Sequence, residues 1–454
     1  MAVWSIPNLG EIEAHCRWDS EFYQPHFRSL GQWLATKCKQ KISDIANLSL
    51  ARFDPSTVPQ FEYLEISEVD LEIGAAHTTT VSSTDSPDRA QFLLSGNEIL
   101  VSTVRPNRSC VALLDNEARG WVASSGFAVL EPLAPRLRSF LFVWLKMQAV
   151  TDWLDRCTTA SMYPAVSVPD IMTTPTPKLG ERIIDKLHQL IGEMEANMVQ
   201  SRYAYPAAEA ELLDRIGWDE LREKPEELSC VRRFADLASS ARFDSEFFRP
   251  SPNRVRAWLA KNGAKTIGEL CHFVEHGIQP TYIEGGTVGI VSQRQFRTSG
   301  LDLDLLENFT NESFLLENPK FRILKSDVLT YCVSAGEYLG RTFLFNSDIP
   351  CVAASFVTIL RTKDVIPGYM ALFLNSPAGL IQSNMFKRGT SPFYLYPRDL
   401  KQVLIPLPRQ KNGEVDIAWQ KRLAAKVEAA TAAKVAARAK LEEAKHLVED
   451  ALTS

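Results

Sequence analysis

"RWDSEFYQP" occupies residues 17–25 and "RFDSEFFRP" occupies residues 242–250. The two copies differ by two exchanges among aromatics and one Gln-to-Arg change. A chain that writes one nine-residue opener twice, 225 positions apart, asks to be read as a duplication before anything else. The parallel holds downstream. "KISDIANL" (41–48) faces "KTIGELCHF" (265–273), and "GNEILVSTVRP" (96–106) faces "KSDVLTYCVSA" (325–335). "WVASSGFAVLEP" (121–132) faces "CVAASFVTILRT" (351–362), and the stretch 139–177 tracks 368–408. The offset drifts only from 225 to about 230, the signature of a duplicated domain with small loop insertions.

Each copy runs into a long helical segment. Ile184, Leu187, Ile191, Met194 and Met198 recur at spacings of 3 and 4, a coiled-coil-type seam. Leu423, Val427, Ala430, Ala437, Leu441, Ala444, Val448 and Ala451 hold the same phase, with Lys434 as an interruption. Pro206 is expected to kink or break the first helix. "EILVSTV", "FAVLEP", "DVLTYCV" and "FVTILRT" are short β-rich runs, and 139–157 and 368–386 read as helical. The expected class is therefore α+β. Two similar domains (1–177 and 217–410) alternate with two long helices (178–216 and 411–454). The helices are expected side by side and antiparallel, as a rod with pseudo-twofold symmetry.

Composition bounds the function. The 454 residues are 45% hydrophobic and 23% charged, an ordinary globular balance. No stretch approaches the ~20 apolar residues of a membrane span, and the start lacks a basic and then apolar secretory pattern, so a cytoplasmic protein is expected. Eight cysteines, none in a C-x-x-C pair, fit free thiols. The net charge of −5 speaks mildly against nucleic acid on its own, leaving local basic loops to carry any such contact. No N-P-P-[FYW] run, glycine-rich cofactor loop or P-loop is present, and "GGTVG" (285–289) reads as a turn. Cys271, His272 and His276 lack a second ligand pair and read as structural. Asp88 lacks the downstream acidic partner of a nuclease. Asp19, Glu21, Asp244 and Glu246 share their motifs with Arg17 and Arg242, so ion-paired clasps explain them more simply than paired catalytic carboxylates. A non-catalytic protein is expected.

The paired openers, the G-[DN]-x-[IL]-L strand (96–100, with "SDVL" at 326–329), "GTSPFYLYPRDLKQVLIPLP" (389–408) and a long helix after each domain together make a further point. The chain resembles, as a divergent member and over nearly its whole length, the specificity (S) subunit of type I restriction-modification systems. The resemblance implies that each domain is a target recognition domain reading one part of a split double-stranded DNA sequence. It also implies that the helices set the spacing and dock DNA methyltransferase subunits, with restriction/translocase subunits joining in systems of the restricting kind. No cofactor is expected in this chain; S-adenosylmethionine and ATP belong to the partner subunits. The segments before the helices, "TPTPKLGERI" (174–183) and "IPLPRQKNGEVDIAWQKRL" (405–423), depart from the family's "PLPPLxEQ".

Base edges are read by Arg, Lys, Asn and Gln, and phosphates by cations and backbone N–H groups. The candidate DNA-binding residues are therefore sought in polar loops. "VRPNRS" (104–109) offers Arg105, Asn107 and Arg108, and "TTASMYPAVS" (158–167) offers Ser161 and Tyr163. In the second domain "SQRQFRTS" (292–299) offers Gln293, Arg294 and Arg297, and Arg341 follows a "YLG" turn. "KRGTSPFY" (387–394) offers Lys387, Arg388, Thr390, Ser391 and Tyr394, at the place that 157–163 takes in the first copy. The rival reading is a duplicated protein–protein scaffold of another defence or modification complex, without base readout.

Overall fold

The computed structural model describes residues 6–7, 9–15, 17–159, 163–222, 229–240, 242–297, 300–334 and 339–453. The chain forms two compact units: Met1–Met198 with Val435–Ser454, and Val199–Lys434.

The first unit holds two four-stranded sheets. One is antiparallel, in the order Ala46–Leu48, Phe127–Pro132, Ile99–Ser102, Val111–Leu113. The other runs Thr79–Ser82, Gln60–Leu64, Val122–Ser124, Ala90–Leu93, and its central pair is parallel. The second unit repeats the first sheet as Cys271–His276, Val357–Thr362, Val328–Tyr331, Thr342–Leu344. It repeats the second as Phe309–Thr310, Val288–Val291, Cys351–Ala353, again with a parallel central pair. A lone bridge between Arg322 and Val352 stands where the fourth strand would be. Strand order and pairing sense are thus duplicated, as the repeat requires. Ile99–Ser102 and Val328–Tyr331 are the centres of their sheets and are buried on both faces, which is why both read as near-continuous apolar runs.

The two helical stretches each resolve into a pair: Pro135–Leu145 with Gln148–Arg156, and Pro367–Asn375 with Pro377–Phe386. Pro135, Pro367 and Pro377 sit in first turns, where a missing N–H costs nothing. Pro377 also forces the preceding helix to stop. The helix pairs pack on the first sheet of their own unit.

The long helices are Glu181–Arg215 and Ile417–Thr453. The first is continuous through Pro206, so the helix is not broken there. Proline removes one backbone bond at a cost of ~3 kcal/mol. Ala208 and Leu212, just beyond it, are fully buried in the core of the second unit and hold that turn in place. In the second unit the helices run antiparallel, Arg215 meeting Asp416 and Glu211 meeting Arg422 and Lys426. In the first unit Glu193 meets Lys440 at 2.8 Å. The seam residues of the first helix are buried as expected. In the second helix Lys434 does not interrupt the seam, because the buried row passes through Ala430, Ala433 and Ala437, one position before it. At the far end Leu452, not Ala451, is the buried residue.

Among the described residues, no helix is long and apolar enough to cross a membrane.

Candidate nucleic-acid interface

The openers build the site from below. Arg17 donates from Nε and Nη2 to the two oxygens of Asp19, at 2.6 and 2.8 Å. Its Nη1 and Nη2 also donate to the carbonyls of Cys157 and Thr158 (3.1 and 2.7 Å), at the end of helix Gln148–Arg156. Arg242 repeats this pattern. It forks onto Asp244 at 2.6 and 2.9 Å and donates to the carbonyls of Phe386 and Lys387, at the end of helix Pro377–Phe386. Each guanidinium lies over an aromatic of its own motif, Phe22 and Phe247. The last carbonyls of a helix have no partner within it and carry partial negative charge, so a fixed guanidinium is a strong cap. Hydrogen bonding from Arg17 holds the Asp19 carboxyl below its ordinary range. Burial pushes Asp244 up, but its bonds to Arg242 and the Phe247 N–H outweigh this and hold it down. In both units the capped helix leads directly into a candidate reading loop.

In the first unit that loop is stitched to the one after strand Ile99–Ser102. Val104 and Ala165 form a β-bridge, and the Arg105 N–H donates to the Pro164 carbonyl at 2.7 Å. Arg105 and Ser109 both adopt left-handed backbone (φ 50° each), which side chains other than glycine seldom take. Between them Pro106 is buried while Asn107 and Arg108 project as exposed side chains. Arg105 lies over the ring of Tyr163, 5.6 Å from its centroid. The structure thus brings Arg105, Asn107, Arg108 and Tyr163 together. Ser161 lies outside the described residues.

The second unit uses the same stitch. Val333–Ser334 pairs with Phe393–Tyr394. Gly389 takes a left-handed turn (φ 87°), and an added Cβ would come within 3.0 Å of the Pro392 carbonyl. The Ser391–Pro392 peptide is cis. Thr390 and Ser391 are exposed at the tip. Lys387 lies over Phe393, and Tyr394 stacks on Tyr396 with an interplanar angle of 12°. Arg388 is differently employed: it forks onto the buried Asp399 at 2.7 and 2.9 Å, and the bond raises its pKa further. Arg341 is partly buried beside the stitched loops, and its backbone carbonyl accepts from the Tyr331 N–H. Gln293 and Arg294 sit exposed on a separate turn after strand Val288–Val291, where Arg294 pairs with Glu307. Arg297 ends that segment in the short strand Phe296–Arg297.

Several positioning residues escaped the sequence reading. Lys146, buried at the helix-pair junction, donates to the carbonyls of Leu71 and Ser109 and so holds the base of the Asn107–Arg108 turn. Burial lowers its pKa to about 8. Asn375 takes the matching place in the second unit and bonds both N–H and carbonyl of Thr342. Asp399, which fixes Arg388, lies in "LYPRDL"; a carboxylate buried in an apolar run was the available signal. Of the metal-like trio, Cys271 is in the core, its thiol pushed up to about 12 by burial, and His276 shares a hydrogen bond with Thr358. Among the described residues no three His, Cys, Asp or Glu side chains gather as a metal site.

No family model matches the chain. A curated relative does. The type I restriction enzyme HindI specificity subunit of Haemophilus influenzae is 24% identical over 196 residues, 41% of this chain and 42% of that protein. The chain is thus similar to a type I specificity subunit. The match spans less than half of the relative's length. Three solved structures cover 91% of the chain at low similarity. A chain from the study "Structural basis underlying complex assembly and conformational transition of the type I R-M system" is 19% identical, with TM-score 0.33 over 96% of its length. The HsdS subunit from Thermoanaerobacter tengcongensis is 19% identical, with TM-score 0.32 over 95%. The type I restriction-modification S subunit from M. genitalium is 13% identical, with TM-score 0.42 over 94%.

Proposed function

We propose that this chain is a non-catalytic DNA sequence-recognition subunit of a restriction-modification complex. Each unit reads one part of a bipartite double-stranded target, and the chain docks DNA methyltransferase subunits, with restriction/translocase subunits in a restricting system. One observation carries the reading. In both units the same arginine clasp caps the same helix and roots a pair of stitched loops, while the residues those loops expose differ. A constant frame that presents variable polar tips is what two half-site readers need. The tips supply Arg105, Asn107, Arg108 and Tyr163 in one unit and Lys387, Thr390, Ser391 and Tyr394 in the other, the residue types that contact phosphates and base edges. Methyl transfer, ATP hydrolysis and cleavage lie in the partners, which bind S-adenosylmethionine and ATP. The complex works in the cytoplasm.

The test is co-purification with the methyltransferase encoded alongside, then selection from a randomised DNA pool at fixed salt. Enrichment of two short motifs with a constant gap is expected. Stable partner binding with no enriched motif would overturn the reading in favour of a scaffold.

A further inference from the structure

Lysine is almost never fully buried without a reason. Lys146 is 5% exposed, at the junction between helices Pro135–Leu145 and Gln148–Arg156. Its Nζ donates to the Leu71 carbonyl at 2.6 Å and to the Ser109 carbonyl at 3.1 Å. The second bond closes the turn that projects Asn107 and Arg108. Arg105 and Ser109 bracket that turn in left-handed backbone, a strained state that persists only where the surroundings over-determine it. The Ser109 hydroxyl is buried and makes no hydrogen bond. The Ser109 carbonyl, held by Lys146, is therefore what ties the far end of the turn to the helices.

Charge gives these bonds their strength. A bond donated by an ammonium is roughly twice as strong as one from a neutral donor. The neutral amine keeps two N–H groups and reaches the same carbonyls, but grips them less. The surroundings do not favour the ammonium. Asp70 and Cys110 face it from the loops it joins, with Arg108 beside Cys110. Lys445 and Glu442 face it from the second long helix, where they pair with each other at 2.7 Å. Burial pushes the Cys110 thiol up to about 11, so it stays neutral below that. Burial, with repulsion from Lys445, brings Lys146 down to about 8. The matching residue of the second unit is Asn375, which holds Thr342 at 2.9 and 2.6 Å and has no proton to lose over that range.

We propose that Lys146 positions the Asn107–Arg108 turn only as an ammonium, so that alkaline pH loosens reading of the first unit's half-site and leaves the second unit's reading intact. The inference rests on the function proposed above. It differs from a structural role in sign. Losing the proton relieves the burial penalty, so the fold gains stability as pH rises past about 8. The turn meanwhile loses its charge-assisted anchor. Were Lys146 merely structural, reading would follow stability upward.

The test uses the full chain with its methyltransferase subunit, and the selected duplex intact or with one half-site scrambled. Dissociation constants are measured at fixed salt from about pH 7 to about pH 9.5, either side of the Lys146 value. Discrimination at each half-site is the ratio of the scrambled to the intact constant. One half-site should lose about tenfold in discrimination over that range, and the other should hold constant. In Lys146→Met the first should be low and flat with pH while the second is unchanged, which also shows that the variant is folded. The wild-type profile decides even where the variant loses both half-sites through misfolding. Equal pH dependence at both half-sites, or none at either, overturns the proposal and leaves the functional reading standing. So does a selective pH dependence that survives in Lys146→Met. If scrambling either half-site changes nothing at any pH, the functional reading falls and the proposal with it.

Discussion

The two clasps share atoms and distances but not surroundings. The side chain of Arg17 is 20% exposed, whereas that of Arg242 is 4% exposed, and both carboxylate partners are equally open. A charge pair in water contributes little; removing either arginine leaves an open carboxylate, but in the second unit it also takes a donor from the Phe386 carbonyl, in a buried bond. The same motif therefore does the same geometric work with different energetic weight.

The largest expected effect tests that difference. Arg242→Ala should cost the second unit ~2–3 kcal/mol, and Arg17→Ala should cost the first ~1–2 kcal/mol. Hydrogen exchange resolved by unit, across a urea series, gives both numbers. Equal losses would mean that the difference in burial is irrelevant. Loss of DNA binding by either variant with unchanged exchange would remove the clasp's structural role altogether.

Next come Lys146 and Asn375, a charged and a neutral solution to one task. Lys146 has a folded pKa of about 8 against an ordinary 10.5, because burial disfavours the ammonium and Lys445 adds repulsion. Between those values the unfolded chain binds more protons, so this group's contribution to stability rises with pH across that window. Relative to Lys146→Met, wild type should gain on the order of 3 kcal/mol from about pH 8 to about pH 10.5. Asn375→Ala should destabilise the second unit with no such slope. Urea unfolding at several pH values checks both, and a flat difference for Lys146→Met would show that its ammonium is solvated.

These contrasts mark what the sequence can reveal. Duplication, the central strands and both helix seams are legible because they rest on local periodicity and on self-comparison. The shift from Lys434 to Ala433 is less so, since alanine buries well and carries almost no pattern. Pro206 misleads because burial of Ala208 and Leu212 overrides a local rule. The candidate site is half legible. Asn107 and Arg108 are exposed where a proline-bounded loop suggests, but Arg388 looks the same in sequence and is spent on Asp399, eleven residues on.

That pair of arginines gives a third experiment. Arg108→Ala should weaken binding to the selected DNA by ~1–3 kcal/mol if it reads a base, or lower the salt slope by about one if it holds a phosphate. The melting curve should not change in either case. Arg388→Ala should lower the stability of the second unit first, because it strands the buried Asp399. If Arg388→Ala alters only DNA affinity, its fork onto Asp399 is not what holds the loop.

The smallest effect compares the two stretches of helix seam. In the second unit Glu211 accepts from Lys426, Arg422 and the Trp419 indole, and the bonds to Lys426 and Arg422 pull its pKa down to about 2. A carboxylate with a depressed folded pKa stabilises above its unfolded value and loses that contribution as pH falls through the folded one. Stability from Glu211 is thus present above about pH 4.5 and gone by about pH 2. The group is near the surface, so screening reduces the effect to ~1 kcal/mol. In the first unit the partly exposed Glu193 faces one cation, Lys440, where Glu211 faces two, and Glu193→Gln should cost only a fraction of what Glu211→Gln costs. Glu211→Gln should destabilise the second unit at neutral pH, and its gap from wild type should close on acidification. A gap that persists at pH 2.5 would mean that the packing of Trp419 matters there and the ion pairs do not, making the two stretches of seam alike in being held by their apolar rows alone.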